Sequence, residues 1–220
     1  MPSDAFQNFR TNLEDVTALI ESHEELNYEG QGKRGLGHIT RSGVVMLCAA
    51  WEVYNEEVVV ECVNFFQEYA DEPSDLPLAV QKNLSRKVKN ADHELKPLHL
   101  AGNGWKEVYT EYTEHDVGRL NTPKHGRINE RYERYLGIED ISEAWSIDAD
   151  EIDDFVTVRG EIAHNGRRAN YVQINSLRQY LDEVKITASE TDNFLAEYVK
   201  EQYPSYRQPW NRLQDVGDDT

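Results

Sequence analysis

The sequence has 220 residues, of which 39% are hydrophobic and 29% are charged, and it contains 12 Tyr, 6 Phe and 4 Trp. This composition predicts a folded protein with a hydrophobic core and excludes a wholly disordered chain. The 41 acidic residues outnumber the 23 basic residues and give a net charge of −18, which opposes non-specific attraction to a polyanion such as nucleic acid.

The first predicted helix, residues 4–27, is followed by a glycine-rich connection. Apolar residues recur in this helix mostly at three- and four-residue steps, and Ser3 is placed to cap its first turn. The connection, residues 30–37, contains four glycines together with Lys33 and Arg34, but no Gly-Lys-Ser/Thr sequence follows them. We therefore interpret it as a loop and not as a phosphate-binding P-loop.

Residues 38–69 are predicted to form the central buried helix. This segment is the most apolar of the chain, has no Gly or Pro after Gly43 and is longer than any ordinary strand. Its apolar stripe, stepping by three and four residues, comprises Leu47, Trp51, Tyr54, Val58, Cys62 and Phe65. Cys48 and Cys62 would lie about 21 Å apart along the helix axis, too far for a disulfide, so we expect two buried, reduced thiols.

A polar helix is predicted over residues 78–95, after a break marked by Pro73 and Pro77. It carries the most basic stretch of the chain, which comprises Lys82, Arg86, Lys87 and Lys89. Charges in such a pattern usually form a solvated helix face. The alternative interpretation is a set of contacts to an RNA backbone.

Three shorter elements precede the motif discussed below. A short helix is predicted over residues 105–115, and a second helix begins at residues 121–123, because Pro123 suits a first helical turn. After a connector over residues 140–147, Asp148 is predicted to open a third helix that ends at residues 165–166.

A last long helix is predicted over residues 172–203, followed by an irregular tail, residues 204–220, that is either mobile or docked by Trp210. No strand pair, hairpin signal or repeat occurs in the sequence. We therefore predict an all-α fold, an antiparallel helical bundle with extra helices, in which residues 1–203 form one domain.

The sequence carries no sign of a membrane segment or of a metal site. No stretch reaches about 18 uncharged apolar residues, and the N-terminus lacks the order of a signal peptide, so we expect a soluble cytoplasmic protein. His93 and His99 have no second Cys or His pair nearby, which favours surface histidines over zinc ligands.

Arg159 and His164, near the end of the 148–166 helix, are the candidate catalytic residues. Histidine titrates near neutrality and can move protons, whereas arginine stays charged and forks onto phosphate, so the two suit 2′-hydroxyl attack on RNA without a metal. Residues five apart differ by about 140° around a helix and by about 7.5 Å along its axis, so Arg159 and His164 are not neighbours on one face. A second copy of the motif therefore helps to bring both functions onto one phosphate. The alternative is a histidine that only complements the helix dipole.

Three segments of the sequence carry a resemblance to one family. They are LCAAWEVYNEEVVVE (47–61), RLNTPKHGRINERYERYLGIEDI (119–141) and FVTVRGEIAHNG (155–166). In this order they resemble the RiboL-PSP-HEPN branch of the HEPN superfamily, over roughly residues 40–170. The resemblance implies a helical bundle that often dimerises, an RNase activity, and Arg159 and His164 as the catalytic pair.

Position 160 departs from the usual pattern of this family. Many active members have Asn, Asp or His directly after the arginine, whereas this chain has Gly160. A side chain at position 160 would lie on the same face as His164, one turn later, and orient its ring. Glycine supplies no such partner and costs about 1 kcal/mol in a helix interior, although it permits close helix approach at a dimer interface.

Neighbouring polar residues are candidates to support this site. Glu161 is placed to pair with His164, Asn165 adjoins it, and Arg167 with Arg168 follow as RNA-backbone candidates; the alternative is a solvated cluster. On the central helix, Glu52 and Glu56 lie one turn apart and either position Arg159 or form an ordinary polar stripe.

The leading hypothesis is therefore a metal-independent endoribonuclease without a cofactor, acting as a homodimer on RNA. The family resemblance implies a role in defence or as a toxin, with an antitoxin or another defence protein as a partner. The alternatives are a catalytically silent module that binds RNA, a nucleotide or a protein, and a purely structural dimerisation domain. The net charge is compatible with RNA if the protein is adapted to a salty cytoplasm or if its bases cluster locally.

Overall fold

The structure, a computed structural model, describes residues 1–27 and 34–213. Seven α-helices account for most of these residues, and no strand occurs among them. The helices are α1 (Asp4–Leu26), α2 (Gly37–Tyr69), α3 (Leu78–Lys89), α4 (Gly104–Val117), α5 (His125–Leu136), α6 (Ala149–Asn165) and α7 (Ile174–Gln202). The predicted all-α bundle is confirmed. Residues 30–33 of the predicted glycine-rich connection lie outside the described residues.

Helix α2 is the centre of the bundle, and α1 packs along it in the opposite direction. The Glu61 carboxylate, in the second half of α2, accepts hydrogen bonds from the backbone N–H groups of Asp4 (3.2 Å) and Ala5 (3.1 Å) at the start of α1. Cys48 and Cys62 are buried free thiols of this central helix, as predicted. The side chains that fill the core between α2 and its neighbours are therefore fixed along the whole length of α2.

Helix α7 runs parallel to α2 and approaches it closely. Leu177 lies against Gly43, where an added Cβ would come within 2.5 Å of the leucine Cδ2. In the middle of α7, the Tyr54 hydroxyl of α2 donates a hydrogen bond to the Ala188 carbonyl at 3.0 Å. Gly43 thus contributes to the close packing of the two helices, because a larger residue there would displace the Leu177 side chain.

Helix α6 completes the surroundings of α2 and forms a hairpin with α7. The rings of Phe155 and Tyr180 lie 5.4 Å apart between these two helices. Buried Ile152, Phe155 and Val156 form the core face that the sequence predicted for α6. This packing places the last turns of α6 beside the first half of α2.

The predicted end of α3 and the predicted start of α5 are wrong. The cause is local for α3, whereas for α5 it is a polar group that is distant in sequence. Helix α3 ends at Lys89 and not at residue 95, because Asn90 forms its C-cap and a 3₁₀ turn follows over Lys96–Leu100. Helix α5 begins at His125, after Pro123 and not around it. Asp153 of α6 caps this start by accepting a hydrogen bond from the His125 backbone N–H at 2.8 Å.

The C-terminal segment is docked as far as residue 213. Trp210 is buried, and its indole N–H donates to the Asp192 carbonyl at 3.1 Å. The backbone N–H of Asn211 donates to the Met1 carbonyl at 2.9 Å. Of the two alternatives predicted for the tail, docking by Trp210 therefore holds for residues 204–213, and residues 214–220 lie outside the described part.

Candidate active site

The candidate site lies at the C-terminal end of α6, whose two ends have clear local causes. At the start, the Asp148 carboxylate accepts from the Asp150 backbone N–H at 2.9 Å. At the end, Gly166 has a φ of 53°, in the left-handed region that favours glycine. The stop at Gly166 places His164 in the last turn, as predicted.

Arg159 is half-buried and faces α2. Its positive charge acts on Cys48 and Glu52, opposing the effect of burial on both groups. Burial nevertheless dominates, so the pKa of Cys48 is raised to about 12 and the pKa of Glu52 is raised above its usual value. Arg159 is therefore held near α2 while part of its side chain remains accessible.

His164 is exposed on a different side of α6 from Arg159. This agrees with the angular separation expected for five helical residues. No hydrogen bond joins the two side chains in the described structure, and one chain alone does not bring them together.

Gly160 lies between them in open space. No atom outside its own neighbourhood lies within 4 Å of the position that a Cβ would occupy. The glycine is therefore not required by packing within one chain. An Asn, Asp or His side chain fits at this position, one turn before His164.

Glu161 has a different partner from the one predicted. Its carboxylate accepts a hydrogen bond from the Asn170 side chain at 3.3 Å, and no ion pair with His164 is formed in the described structure. This contact ties the end of α6 to the following loop. Asn165 is exposed and adjoins His164 without a side-chain partner of its own in the described ranges.

Glu52 and Glu56 differ in their relation to Arg159. One Glu52 carboxylate oxygen is buried without a hydrogen-bond partner among the described residues, and Glu52 is the acid that interacts with Arg159. The pKa of Glu56 is raised by burial and by Glu52, and a hydrogen bond from the Leu120 backbone opposes this rise. A positioning role for Glu52 is thus geometrically available, whereas Glu56 interacts with other groups.

The basic candidates fall into two separate places. Arg167 and Arg168 are exposed in the 3₁₀ turn Gly166–Arg168, directly after the motif. Helix α3, with the other four candidates, packs against α5 and α4. Its Lys87 forms an ion pair with Asp116 at 2.7 Å.

Acidic residues lie close to part of the basic α3 surface. Burial opposes ionisation of Asp116, but hydrogen bonds from Lys87 and Tyr135 lower its pKa to about 2. Lys82 and Arg86 line a cleft that they share with Glu130, Glu133 and Glu139. Lys89 is exposed at the end of α3. The solvated-face interpretation therefore fits α3 better than an RNA contact does.

Sequence reasoning missed three residues that lie near the motif in space. His38 and Arg41 at the start of α2, and Tyr171 in the loop after α6, line one cleft with Arg167. They are spread over more than a hundred residues of sequence and form no motif. Only the crossing of α2 and α6 brings them together.

Neither a metal site nor a membrane segment is found in the part of the chain that is described. Within residues 1–27 and 34–213, no group of three or more His, Cys, Asp or Glu side chains is arranged to hold a metal ion. No helix in the same ranges is long and apolar enough to cross a membrane.

Comparison with known proteins gives one match. A family model described as RiboL-PSP-HEPN matches residues 8–197, most of the chain. No significant match was found among curated proteins or among solved structures.

Proposed function

Because this chain belongs to the RiboL-PSP-HEPN family, we propose that it is an endoribonuclease in which Arg159 and His164 cleave RNA without a metal. The observation that carries the proposal is the arrangement at the end of α6. A half-buried arginine whose charge acts on Glu52 precedes an exposed histidine in the last turn, and Arg167 and Arg168 follow directly.

The proposed reaction is transesterification within the RNA. The 2′-oxygen attacks the adjacent phosphorus and the phosphorus–O5′ bond breaks, which leaves a 2′,3′-cyclic phosphate and a 5′-hydroxyl. One proton leaves the 2′-hydroxyl and one is delivered to O5′, and histidine suits both transfers. Arg159 stabilises the charge on the phosphoryl oxygens. The nucleophile belongs to the RNA, so the chemistry needs no metal-bound water.

A homodimer supplies the second histidine that this reaction needs as acid. The first half of α2 exposes two apolar side chains, Val45 and Met46, which are 39% and 36% exposed and precede Cys48, a residue on which the charge of Arg159 acts. Ala49, on the same helix, is also exposed, and on α6 no atom lies within 4 Å of the position that a Cβ of Gly160 would occupy. We propose that two copies meet here, with their α6 helices close together and the His164 residues converging on one phosphate.

The experiment uses purified protein, mixed cellular RNA and EDTA, at low and at molar salt. We expect cleavage in EDTA, and a loss of about 10² to 10⁴ in rate for His164→Ala. His93→Ala is the matched control, because His93 is an exposed histidine outside the motif. Arg159→Lys keeps the charge but loses the planar fork, so a large loss is expected there too.

The alternative is a catalytically silent module, which Gly160 and the net charge of −18 favour. Cleavage that persists in folded His164→Ala protein, or absence of cleavage by the wild type at both salt concentrations, would make the silent module the better description. The proposed role in defence or as a toxin, and the proposed antitoxin, depend on the cleavage result.

A further inference from the structure

A cleft of about 520 Å³ lies between the start of α2 and the loop that follows α6. This volume falls within the range of small-molecule sites. The lining residues are Gly35, Gly37, His38, Arg41, Arg167, Ala169 and Tyr171. None of them belongs to the catalytic pair.

The charge of this cleft is opposite to that of the molecule. Among the described residues, its lining contains two arginines and a histidine but no Asp or Glu, in a chain with 41 acids and 23 bases. Neither Arg41 nor Arg167 forms an ion pair with a carboxylate of the described residues. The α3 cleft differs, because its lining includes Glu130, Glu133 and Glu139 as well as basic residues. Unpaired arginines facing a shared cavity suit a phosphate group.

Tyr171 gives the cleft an aromatic wall that is held in place. The tyrosine is 49% exposed, yet its ring packs against Gly37, where an added Cβ would lie 3.0 Å from the ring Cε2. The same Cβ would lie 3.1 Å from a guanidinium nitrogen of Arg41, so the ring and this cation are adjacent. The exposed part of such a ring is a surface on which a nucleobase stacks.

His38 adds a further polar group to the cleft. Its Nδ1 lies 3.0 Å from the Gly35 carbonyl, which can only accept, so Nδ1 is the donor of this hydrogen bond. The Nε2 atom is then the ring nitrogen left for a ligand. The cleft thus combines a fixed ring, two cations and an imidazole.

The cleft adjoins the catalytic pair. Arg167 follows His164 by three residues, and Arg41 precedes Cys48, the neighbour of Arg159, by about 10.5 Å along α2. A strand whose scissile phosphate lies at the pair therefore reaches the cleft with its next nucleotides.

We propose that this cleft binds one nucleotide of a single-stranded RNA, with a phosphate on Arg41 and Arg167 and the base stacked on Tyr171. The assignment of the ligand as substrate rests on the proposed nuclease function. The binding itself does not require cleavage, so the two are tested separately.

The test measures the binding of a fluorescent 2′-O-methyl oligoribonucleotide by anisotropy, because the methyl group removes the nucleophile and prevents cleavage. Tyr171→Ala should weaken binding about fivefold or more, and Tyr171→Phe should retain it. Arg41→Ala should weaken binding and lower the slope of log affinity against log salt by about 1.

Tyr206→Ala and Arg207→Ala are the matched controls. Both residues are exposed and lie after α7, where the Tyr206 ring packs at a tilt against Tyr69 at the far end of α2 (4.3 Å between centroids). Neither control should change the affinity or the salt slope. Thermal melts of all variants separate lost binding from lost folding.

Three outcomes would overturn the cleft proposal: unchanged binding in Tyr171→Ala and Arg41→Ala, equal losses in the control variants, or AMP binding as tightly as the oligonucleotide, which would indicate a mononucleotide site. Cleavage of RNA by the wild type is measured in parallel. If the cleft variants lose binding but the wild type cleaves nothing, the RNA-binding cleft stands and the nuclease proposal fails. If the wild type cleaves but the cleft variants bind normally, the reverse holds.

Discussion

Gly160 has no structural requirement within one chain, because its φ is ordinary and its Cβ position is open. It lies inside α6, where glycine costs about 1 kcal/mol relative to alanine. In a monomeric chain, Gly160→Ala should therefore raise the free energy of unfolding by about that amount, and the melting temperature by about 2–4 °C. Thermal and chemical denaturation measure this. A decrease instead would mean that the site is occupied in the assembled protein, as expected if a second α6 approaches closely there.

Asp192 is a buried acid whose ionisation opposes folding. Burial raises its pKa to about 6, although hydrogen bonds from Ser3 act in the opposite direction. The folded pKa exceeds the unfolded value, so the stability linked to this group is fully present below about pH 4 and is lost as pH rises through about 6. Because the folded and unfolded pKa values belong to the same carboxyl, the stability linked to it decreases as the pH rises between them.

The free energy of unfolding of Asp192→Asn, relative to that of the wild type, should accordingly increase as the pH rises from 4 to 7. The expected change in the difference of unfolding free energies is of the order of 2–3 kcal/mol. Urea denaturation at several pH values measures it, with the exposed Asp182→Asn as control. A difference that does not vary with pH would show that Asp192 stays ionised throughout this range.

At the scale of elements, the tail stabilises the fold by joining both ends of the described chain. Trp210 is buried against α7. The backbone N–H of Asn211 donates to the Met1 carbonyl, and the backbone N–H of Leu213 donates to the Asn193 side chain. Trp210→Ala should lower the free energy of unfolding by about 3 kcal/mol and expose the tail to trypsin at Arg207 and Arg212. The exposed Gln208→Ala is the control. Unchanged stability and unchanged proteolysis would contradict a structural role for this docking.

The helices could be predicted where their own sequence determines them. The long apolar periods of α2 and α7 and the caps at Ser3 and Asp148 are local signals, and those elements agree with the structure. The start of α5 was missed because its cap is supplied by Asp153, which is distant in sequence. Long-range polar contacts of this kind leave no pattern in a local window.

The candidate site shows the same division. Arg159 and His164 lie on one helix, so one segment of the sequence was enough to name both as candidates. Their five-residue spacing also predicted that they face different sides of the helix. The partner of Glu161 is Asn170, in a loop whose path depends on tertiary packing, so the predicted pairing with His164 did not form. The cleft residues Arg41 and Tyr171 meet only because α2 and α6 cross, which no spacing rule indicates.

At the scale of the whole molecule, charge is distributed unevenly along α2. Acidic residues gather around its second half, in a cleft lined by Asp4, Glu56, Glu57, Glu61 and Glu114. The first half carries Arg41 and faces Arg159 and Arg167. The helix dipole adds to this polarity, because the N-terminus of α2 is its positive end. A chain with net charge −18 thus presents a locally basic surface, which is where the proposed RNA strand lies.

The dimer proposed above makes a prediction about its exposed apolar face. Met46→Glu should convert the dimer to a monomer, because it places a charge in the centre of the proposed contact, and cleavage should be lost with it. Light scattering after size exclusion measures the mass. Leu78→Glu is the matched control, since Leu78 is 62% exposed on α3 and outside this face. A wild type that is monomeric at micromolar concentration would remove the argument for a shared site.

A heterodimer distinguishes a shared site from two independent ones. Wild-type and His164→Ala chains, co-expressed with different affinity tags and purified through both, form an assembly with a single His164. If the two histidines serve one phosphate as base and acid, this heterodimer should retain below about one tenth of the wild-type rate, because removing either proton transfer costs at least that much. If each chain acts alone, half of the rate should remain. A measured half would therefore contradict the convergence of the two motifs, while leaving His164 as the catalytic residue of each copy.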